Sequence, residues 1–142
     1  MSQQEDYVAQ AAAIPFRTDP QSGRVQVLMI RRRDGRKWGI PKGLVDPGLT
    51  HAEAAAVEAR EEAGLEGRLS DQPLGTFTYE KFGGTCLVQV FVMRVTRELQ
   101  RWDEERLRER RWFDIDEAAA IAGRRAVGEL IERLAAGAAT GA

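Results

Sequence analysis

The stretch VEAREEAGL, residues 57–65, carries three carboxylates, Glu58, Glu61 and Glu62, among alanine and aliphatic residues. At i, i+3 and i+4 of a helix they fan over roughly 100° of one face. Like charges at these spacings repel by about 0.2–0.5 kcal/mol per pair. The last turn of a helix is also its negative end, which disfavours carboxylates further. Arg60 stands about 200° round the helix from Glu58 and is badly placed to neutralise the group. A cation from outside the helix is therefore expected, and oxygen donors of this kind suit Mg²⁺ or Mn²⁺. Taken alone, EAREE reads more simply as a solvated acidic face, so the surrounding residues have to decide.

Ahead of the acidic stretch, Arg31, Arg32, Arg33, Arg36, Lys37 and Lys42 fall on one strand–turn–loop segment, opposed there only by Asp34. This supply of cations suits a phosphorylated small molecule. Alternation along a strand sends Arg31 and Arg33 to one face and Arg32 to the other. Lys42 is the first candidate for substrate binding, because it adjoins the loop that leads into the acidic helix. Arg31 and Arg33 follow, and Lys81 is a weaker candidate. For any single one of these, a solvated hairpin end is an equal reading. His51, the only histidine, stands at a helix start and reads as exposed rather than catalytic. Trp38 reads as a core or rim residue before a base-stacking one. The lone cysteine, Cys86, reads as a buried small hydrophobe and excludes an internal disulfide or a cysteine-rich zinc site.

Several elements must position these groups. YVAQAAAIPFR (7–17) and VQVLMIRR (25–32) read as strands separated by turn chemistry at 17–24. WGIP is a short extended piece, and PKGLVDPG (41–48) is a shaped loop rich in glycine and proline. A helix starts after Thr50, which forms a capping box with Glu53, and ends at Gly64. Its Ala55, Ala59 and Ala63 form a small-residue stripe suited to close packing on a sheet. Residues 74–96 read as a long hairpin turning near Gly83 and Gly84. A charged loop (97–110) leads to the strand RRWFDI, and the remainder is helical. The mix of strands and helices without strict alternation predicts an α+β fold with a mixed sheet covered on both sides.

The chain has 142 residues with a net charge of −1, enough for one domain over 1–142 with a fraying tail at 137–142. This charge balance gives no reason to expect extended nucleic acid as a partner. There is no apolar run of the ~20 residues that cross a bilayer, and MSQQEDY shows no secretory pattern. A cytoplasmic location away from membranes is the expectation.

The whole stretch GLVDPGLTHAEAAAVEAREEAGL, from Gly43 to Leu65, resembles the Nudix box. Its pattern is glycine, five residues, glutamate, seven residues, then Arg-Glu-aliphatic-any-Glu-Glu-any-Gly-aliphatic. Gly43, Glu58, Glu61, Glu62, Gly64 and Leu65 match, and Ala59 fills the first aliphatic place. Leu49 and Val57 stand where the family has its first glutamate and its arginine. Both became aliphatic together, so no charge is stranded. AAIPFR, WGIPKG and the late WDEERLRERRWFDIDEA are similar to the branch of the family that contains diphosphoinositol polyphosphate phosphohydrolases.

The resemblance implies a Nudix fold, a mixed sheet between helices, and hydrolysis of phosphoanhydride bonds. Glu58, Glu61 and Glu62 would be metal ligands and catalytic residues, with the Gly43 carbonyl as a further ligand and Mg²⁺ or Mn²⁺ as cofactor. Glu61, Glu104 and Glu105 are the candidates for general base. A polyphosphorylated substrate is favoured, of the diphosphoinositol polyphosphate or dinucleoside polyphosphate type. The alternatives are a nucleoside triphosphate or diphosphate-X pyrophosphohydrolase, and a non-catalytic module that binds a nucleotide metabolite. Dimers are frequent in the family, which leaves a homodimer open.

Overall fold

The computed structural model describes residues 6–81 and 83–139. In chain order the elements are β1 (Tyr7–Thr18), β2 (Val25–Arg32), β3 (Lys42–Leu44), α1 (His51–Ala63), β4 (Leu65–Leu69), β5 (Gly75–Lys81), β6 (Gly84–Glu98), β7 (Arg108–Asp114), α2 (Ile115–Ile121) and α3 (Arg125–Ala139). The seven strands form one mixed sheet in the order β4-β6-β1-β2-β7, with β3 paired to β1 and β5 to β6. The β1–β6 pair is parallel and the other pairs are antiparallel.

Alternation along the strands divides the core in two. Ala11, Ala13, Leu28, Ile30, Phe91 and Met93 face Ala54, Ala55, Ala59 and Ala63 of α1. Ala12, Ile14, Val27, Met29, Val88 and Val90 face the other way, against Val127, Leu130 and Ile131 of α3. The buried face of α1 is alanine, and β1 meets it with Ala11 and Ala13, so the helix and this strand approach closely. That need explains why a central strand carries alanines of low β-propensity: burial on both faces outweighs propensity.

Strand β1 changes partner along one edge. Its C-terminal residues Phe16–Thr18 pair with β2, whereas Gln10–Ala12 pair with β3. Between these pairings the sheet opens, and Arg31, Arg32, residues 37–40 and Lys42 line a cleft there. The shaped loop expected at 41–48 thus begins as a short strand. Strand β4 was not expected from the sequence: it is five residues long and contains Gly67 at a register shift. The charged loop is shorter than expected, 99–107, because β6 runs on to Glu98 and β7 starts at Arg108. Helix α3 is regular through Ala139, and the end of the expected frayed tail, 140–142, lies outside the described residues. Among the described residues, no helix is long and apolar enough to cross a membrane.

Candidate active site

Helix α1 is fixed at both ends, which sets the direction of every glutamate on it. At its start the Thr50 side chain accepts from the Glu53 N–H at 3.1 Å and Glu53 Oε1 accepts from the Thr50 N–H at 2.8 Å. At its end Gly64 adopts φ 66°, ψ 38°, the left-handed conformation in which glycine avoids a Cβ penalty. The last carbonyls of a helix lack internal partners, and here the segment 99–110 supplies them. The Glu104 N–H donates to Glu61 O (3.0 Å), Trp102 Nε1 to Glu62 O (3.0 Å), and the Arg110 guanidinium to Ala63 O (2.8 Å) and Gly64 O (3.2 Å). Arg110 lies 4.0 Å over the Trp102 ring. A cation at this negative helix end is favourable, although burial pulls the Arg110 pKa below its ordinary value.

On this fixed helix the three glutamates part company. Glu62 turns inward and is 7% exposed, with Oε1 accepting from the Lys42 N–H at 3.2 Å. The Glu58 carboxyl lies directly on Gly43, where any Cβ would overlap it. Burial foremost, then the Glu58 charge, pushes the Glu62 pKa up to about 8, with Arg108 acting in the opposite direction. Glu58 is also raised, by burial first and then by Glu61, Glu104 and Asp46, while its hydrogen bond with Glu62 lowers it. Both shifts favour a proton held between the two carboxyls, with Glu62 as donor and Glu58 as acceptor. Glu61 stands outside this cleft and acts on Glu58 through its charge. Among the described residues, no three acidic, histidine or cysteine side chains gather closely enough to hold a metal as they stand. The cluster of three expected from the sequence is a pair with a charged neighbour.

The helical period accounts for this: positions 61 and 62 diverge by about 100°. The expected outside cation also has an internal competitor. Arg108 of β7 lies 3.9 Å from Glu62 and 2.8 Å from Glu104. Even so, a buried and a half-buried carboxyl crowded against a side-chain-free glycine are a donor set that fits a divalent cation, which would displace any proton between them.

The carboxylate cleft, about 300 Å³, is lined by Glu58, Glu62, Gly43, Lys42, Tyr79 and Arg108 among others. Lys42 Nζ donates to the Tyr79 hydroxyl (3.2 Å), which donates to Gln10 Oε1 (2.7 Å). Burial lowers the Lys42 pKa, and the nearby Arg124 lowers it further. Arg31 lines the neighbouring cleft but is ion-paired with Glu109 and lies 4.5 Å over Trp38. Arg33 lies outside both clefts, its guanidinium donating to Glu105 O at 2.9 and 3.2 Å. Arg32, expected on the opposite side from Arg31, instead joins it in the cleft lining, because the strand ends there and the turn bends the chain.

Of the base candidates in the charged loop, Glu104 is near Glu58, whereas the Glu105 side chain pairs with Arg101 at 3.4 Å. Trp38 is a core residue, edge-on to Phe113 at 5.0 Å. His51 is half-buried and outside both clefts. Leu49 packs against the alanine-rich core, and Val57 is half-buried. Arg108, Arg124, Tyr79, Trp102 and Arg110 were not singled out from the sequence. The register of β2 on β7, which sets Arg31 opposite Glu109 and Arg32 opposite Arg108, is the signal that would have found Arg108.

Comparison with known proteins agrees with this fold. The family model for the NUDIX domain matches residues 8–134. Nudix hydrolase 12, mitochondrial, of Arabidopsis thaliana is 34% identical over 130 residues, covering 78% of this chain and 64% of that protein. Diphosphoinositol polyphosphate phosphohydrolase 2 of Rattus norvegicus is 32% identical over 119 residues, covering 82% of this chain and 64% of that protein. The chain therefore spans a little under two thirds of the length of these two relatives. Among solved structures, a C. elegans Ap4A hydrolase binary complex superposes with a TM-score of 0.74 at 26% identity, covering 94% of this chain and 98% of that one.

Proposed function

The chain belongs to the NUDIX family, and from that premise we propose that it is a hydrolase dependent on Mg²⁺ or Mn²⁺. It would cleave phosphoanhydride bonds in a polyphosphorylated small molecule of the dinucleoside polyphosphate or diphosphoinositol polyphosphate type. The observation that carries the reading is the Glu58–Glu62 pair on one helix, Glu62 buried and Glu58 half-buried, with the Glu58 carboxyl seated directly on Gly43. Two carboxylates crowded together against a bare glycine are suited to a divalent cation. The relatives bring the substrate class: they include proteins named as diphosphoinositol polyphosphate and Ap4A hydrolases.

Glu58, Glu62 and the Gly43 carbonyl would hold the cation, with Glu61 adding negative charge from its flank. A divalent cation bound there supplies charge neutralisation for phosphate oxygens and acidifies a water. The chain's own groups do the rest. Lys42 and Arg108 border the same cleft and would orient the phosphate, because phosphoryl transfer depends on positioning and electrostatics. Glu61 or Glu104, both close enough to bias Glu58, would accept the proton of the attacking water. Glu105 is the weaker choice: both loop glutamates are ion-paired, Glu104 with Arg108 and Glu105 with Arg101, but only Glu104 is near Glu58.

A non-catalytic binding module is the second reading, favoured by Leu49 and Val57 in place of the box glutamate and arginine. Phosphate release should be measured on a dinucleoside polyphosphate, a diphosphoinositol polyphosphate, a nucleoside triphosphate and a nucleotide sugar, with and without Mg²⁺. Metal-dependent turnover of a polyphosphate supports the hydrolase. Tight binding with no turnover of any of them supports the module.

A further inference from the structure

Beside the carboxylates lies a second cleft, about 370 Å³, whose lining includes Arg31, Arg32, Lys37, Lys42, Arg108 and Arg124 but no carboxylate. Most of these cations are already engaged: Arg31 with Glu109, Arg32 with Asp34, Arg108 with Glu104 and Glu62, and Lys42 with the Tyr79 hydroxyl. Among the described residues, Lys37 and Arg124 have no carboxylate partner. Neither sits on a free-standing loop. The Gly123 N–H donates to Trp38 O at 2.8 Å, Trp38 bridges to Ala122, and a Cβ on Gly123 would come within 2.8 Å of the Lys37 side chain. The junction of α2 and α3 is thus fastened along the segment that carries Lys37.

From this seam Arg124 reaches over the Tyr79 ring, its guanidinium 4.2 Å from the centroid. Lys42 Nζ lies 4.7 Å from the same centroid. Two like charges on one neutral ring repel. An anion in the cleft would relieve that repulsion. The two clefts share Ile40, Lys42 and Arg108, so a chain of phosphates could extend from one into the other. The aromatic rings here are poorly placed for a nucleobase: Phe77, which lines the cleft, is buried in the core. Trp38 carries Arg31 at 4.5 Å and Arg111 at 5.2 Å, and Tyr79 carries Lys42 and Arg124. Base stacking needs an uncovered ring face.

We propose that this cleft is a phosphate-chain subsite in which Arg124 and Lys37 bind phosphates remote from the carboxylates. Arg124 sets the preference for longer chains, and no ring reads the group that the phosphates carry. The proposal rests on the hydrolase reading for its biological sense, but the binding it describes can be measured without turnover.

The test is calorimetric titration of the full chain in EDTA with inorganic pyrophosphate, inorganic tripolyphosphate and ATP. Tripolyphosphate should bind about tenfold more tightly than pyrophosphate, the gain of a further charge-assisted contact. Arg124→Gln should abolish that preference and Arg124→Lys should restore part of it. Arg125→Gln, which removes a charge one residue away from an arginine paired with Glu129, should leave it in place. Equal losses in Arg124→Gln and Arg125→Gln would reduce the effect to a diffuse field and overturn the subsite. ATP should bind within about threefold of tripolyphosphate, since stacking on a base would tighten binding about 5–150-fold. ATP binding far tighter than tripolyphosphate, and insensitive to Arg124→Gln, would assign the cleft to a base and overturn the proposal. If wild-type protein hydrolyses nothing in Mg²⁺ while the Arg124-dependent preference persists, the hydrolase reading falls and the subsite stands.

Discussion

The two clefts share a wall and are built in opposite ways. Gly43, Glu58 and Glu62 of the carboxylate cleft come from one stretch of 22 residues, Gly43–Gly64. Their positions are set by backbone: a capping box, a left-handed glycine and a bare glycine under a carboxyl. The cation cleft draws on β2, the segment 37–42, β7 and the α2–α3 junction, and its working atoms sit at the ends of long side chains. Chemistry placed on rigid backbone tolerates little change. Specificity placed on side-chain ends can be altered without disturbing it.

The largest effects should come from the rigid cleft. Glu62→Gln and Glu58→Gln should each lower activity by about 100-fold or more, the upper range for disrupted metal sites. Thermal melts in EDTA should show either variant as stable as the parent or more so, because each replaces one member of two crowded carboxyls with a neutral amide. Full activity with unchanged Mg²⁺ dependence in either variant would remove the site assignment. Gly43→Ala should cost somewhat less, about 10–100-fold, by forcing the Glu58 carboxyl off its seat. Its signature is a raised Mg²⁺ requirement with a far-ultraviolet circular dichroism spectrum like the parent's.

This contrast also explains what could be read in the sequence. Thr50, Glu53 and Gly64 act through local hydrogen bonds and local φ, so α1 and its ends were legible, and so were the long hairpin and the mixed sheet. The partners of those residues were not. Arg108 reaches Glu62 only because β7 pairs with β2, and Arg124 reaches Tyr79 only because the α2–α3 junction docks on Trp38. Charge and position put Lys42 first among the cations of 31–42, with Arg31 and Arg33 beside it as substrate ligands. The register shows that Glu109 takes Arg31, and the Glu105 carbonyl takes Arg33. Strand β4 escaped because a glycine at a bulge inside five residues leaves no periodic pattern.

Acid–base behaviour should sharpen the comparison, because the proton sits in one cleft only. The Glu62 pKa rises from an ordinary 4.5 to about 8 on folding. A carboxyl whose folded pKa is raised stabilises the fold while protonated, so the contribution is complete below pH 4.5 and is lost as pH climbs towards 8. Metal-free protein should therefore melt at progressively lower temperature across that window, with a slope of at most about 1.4 kcal/mol per pH unit. Glu62→Gln should flatten the profile. Millimolar Mg²⁺ or Mn²⁺ should raise the melting temperature most at the alkaline end, where the carboxylates are free to bind it. A metal effect that is absent even with a substrate analogue present would refute the cation site.

The smallest effects should come from the cations, and here structure and sequence make different predictions. Counting charges would rank Arg33 with Lys42 as substrate ligands. The geometry separates them: Lys42 lies in both clefts, while Arg33 donates to a loop carbonyl outside them. Lys42→Gln should raise KM for a polyphosphate about tenfold, the loss of one charge-assisted contact. Its effect on a simple diphosphate ester should be smaller, since fewer phosphates reach the cation cleft. The penalty should grow as salt is lowered, because screening of the exposed part of the site weakens. Arg33→Gln should change KM by less than about twofold for either substrate, in keeping with a surface contact. A kcat/KM comparison across substrates of increasing phosphate number decides it. Equal penalties for the two substitutions would mean that net charge along 31–42 governs binding, and that the division between the clefts has no bearing on substrate choice.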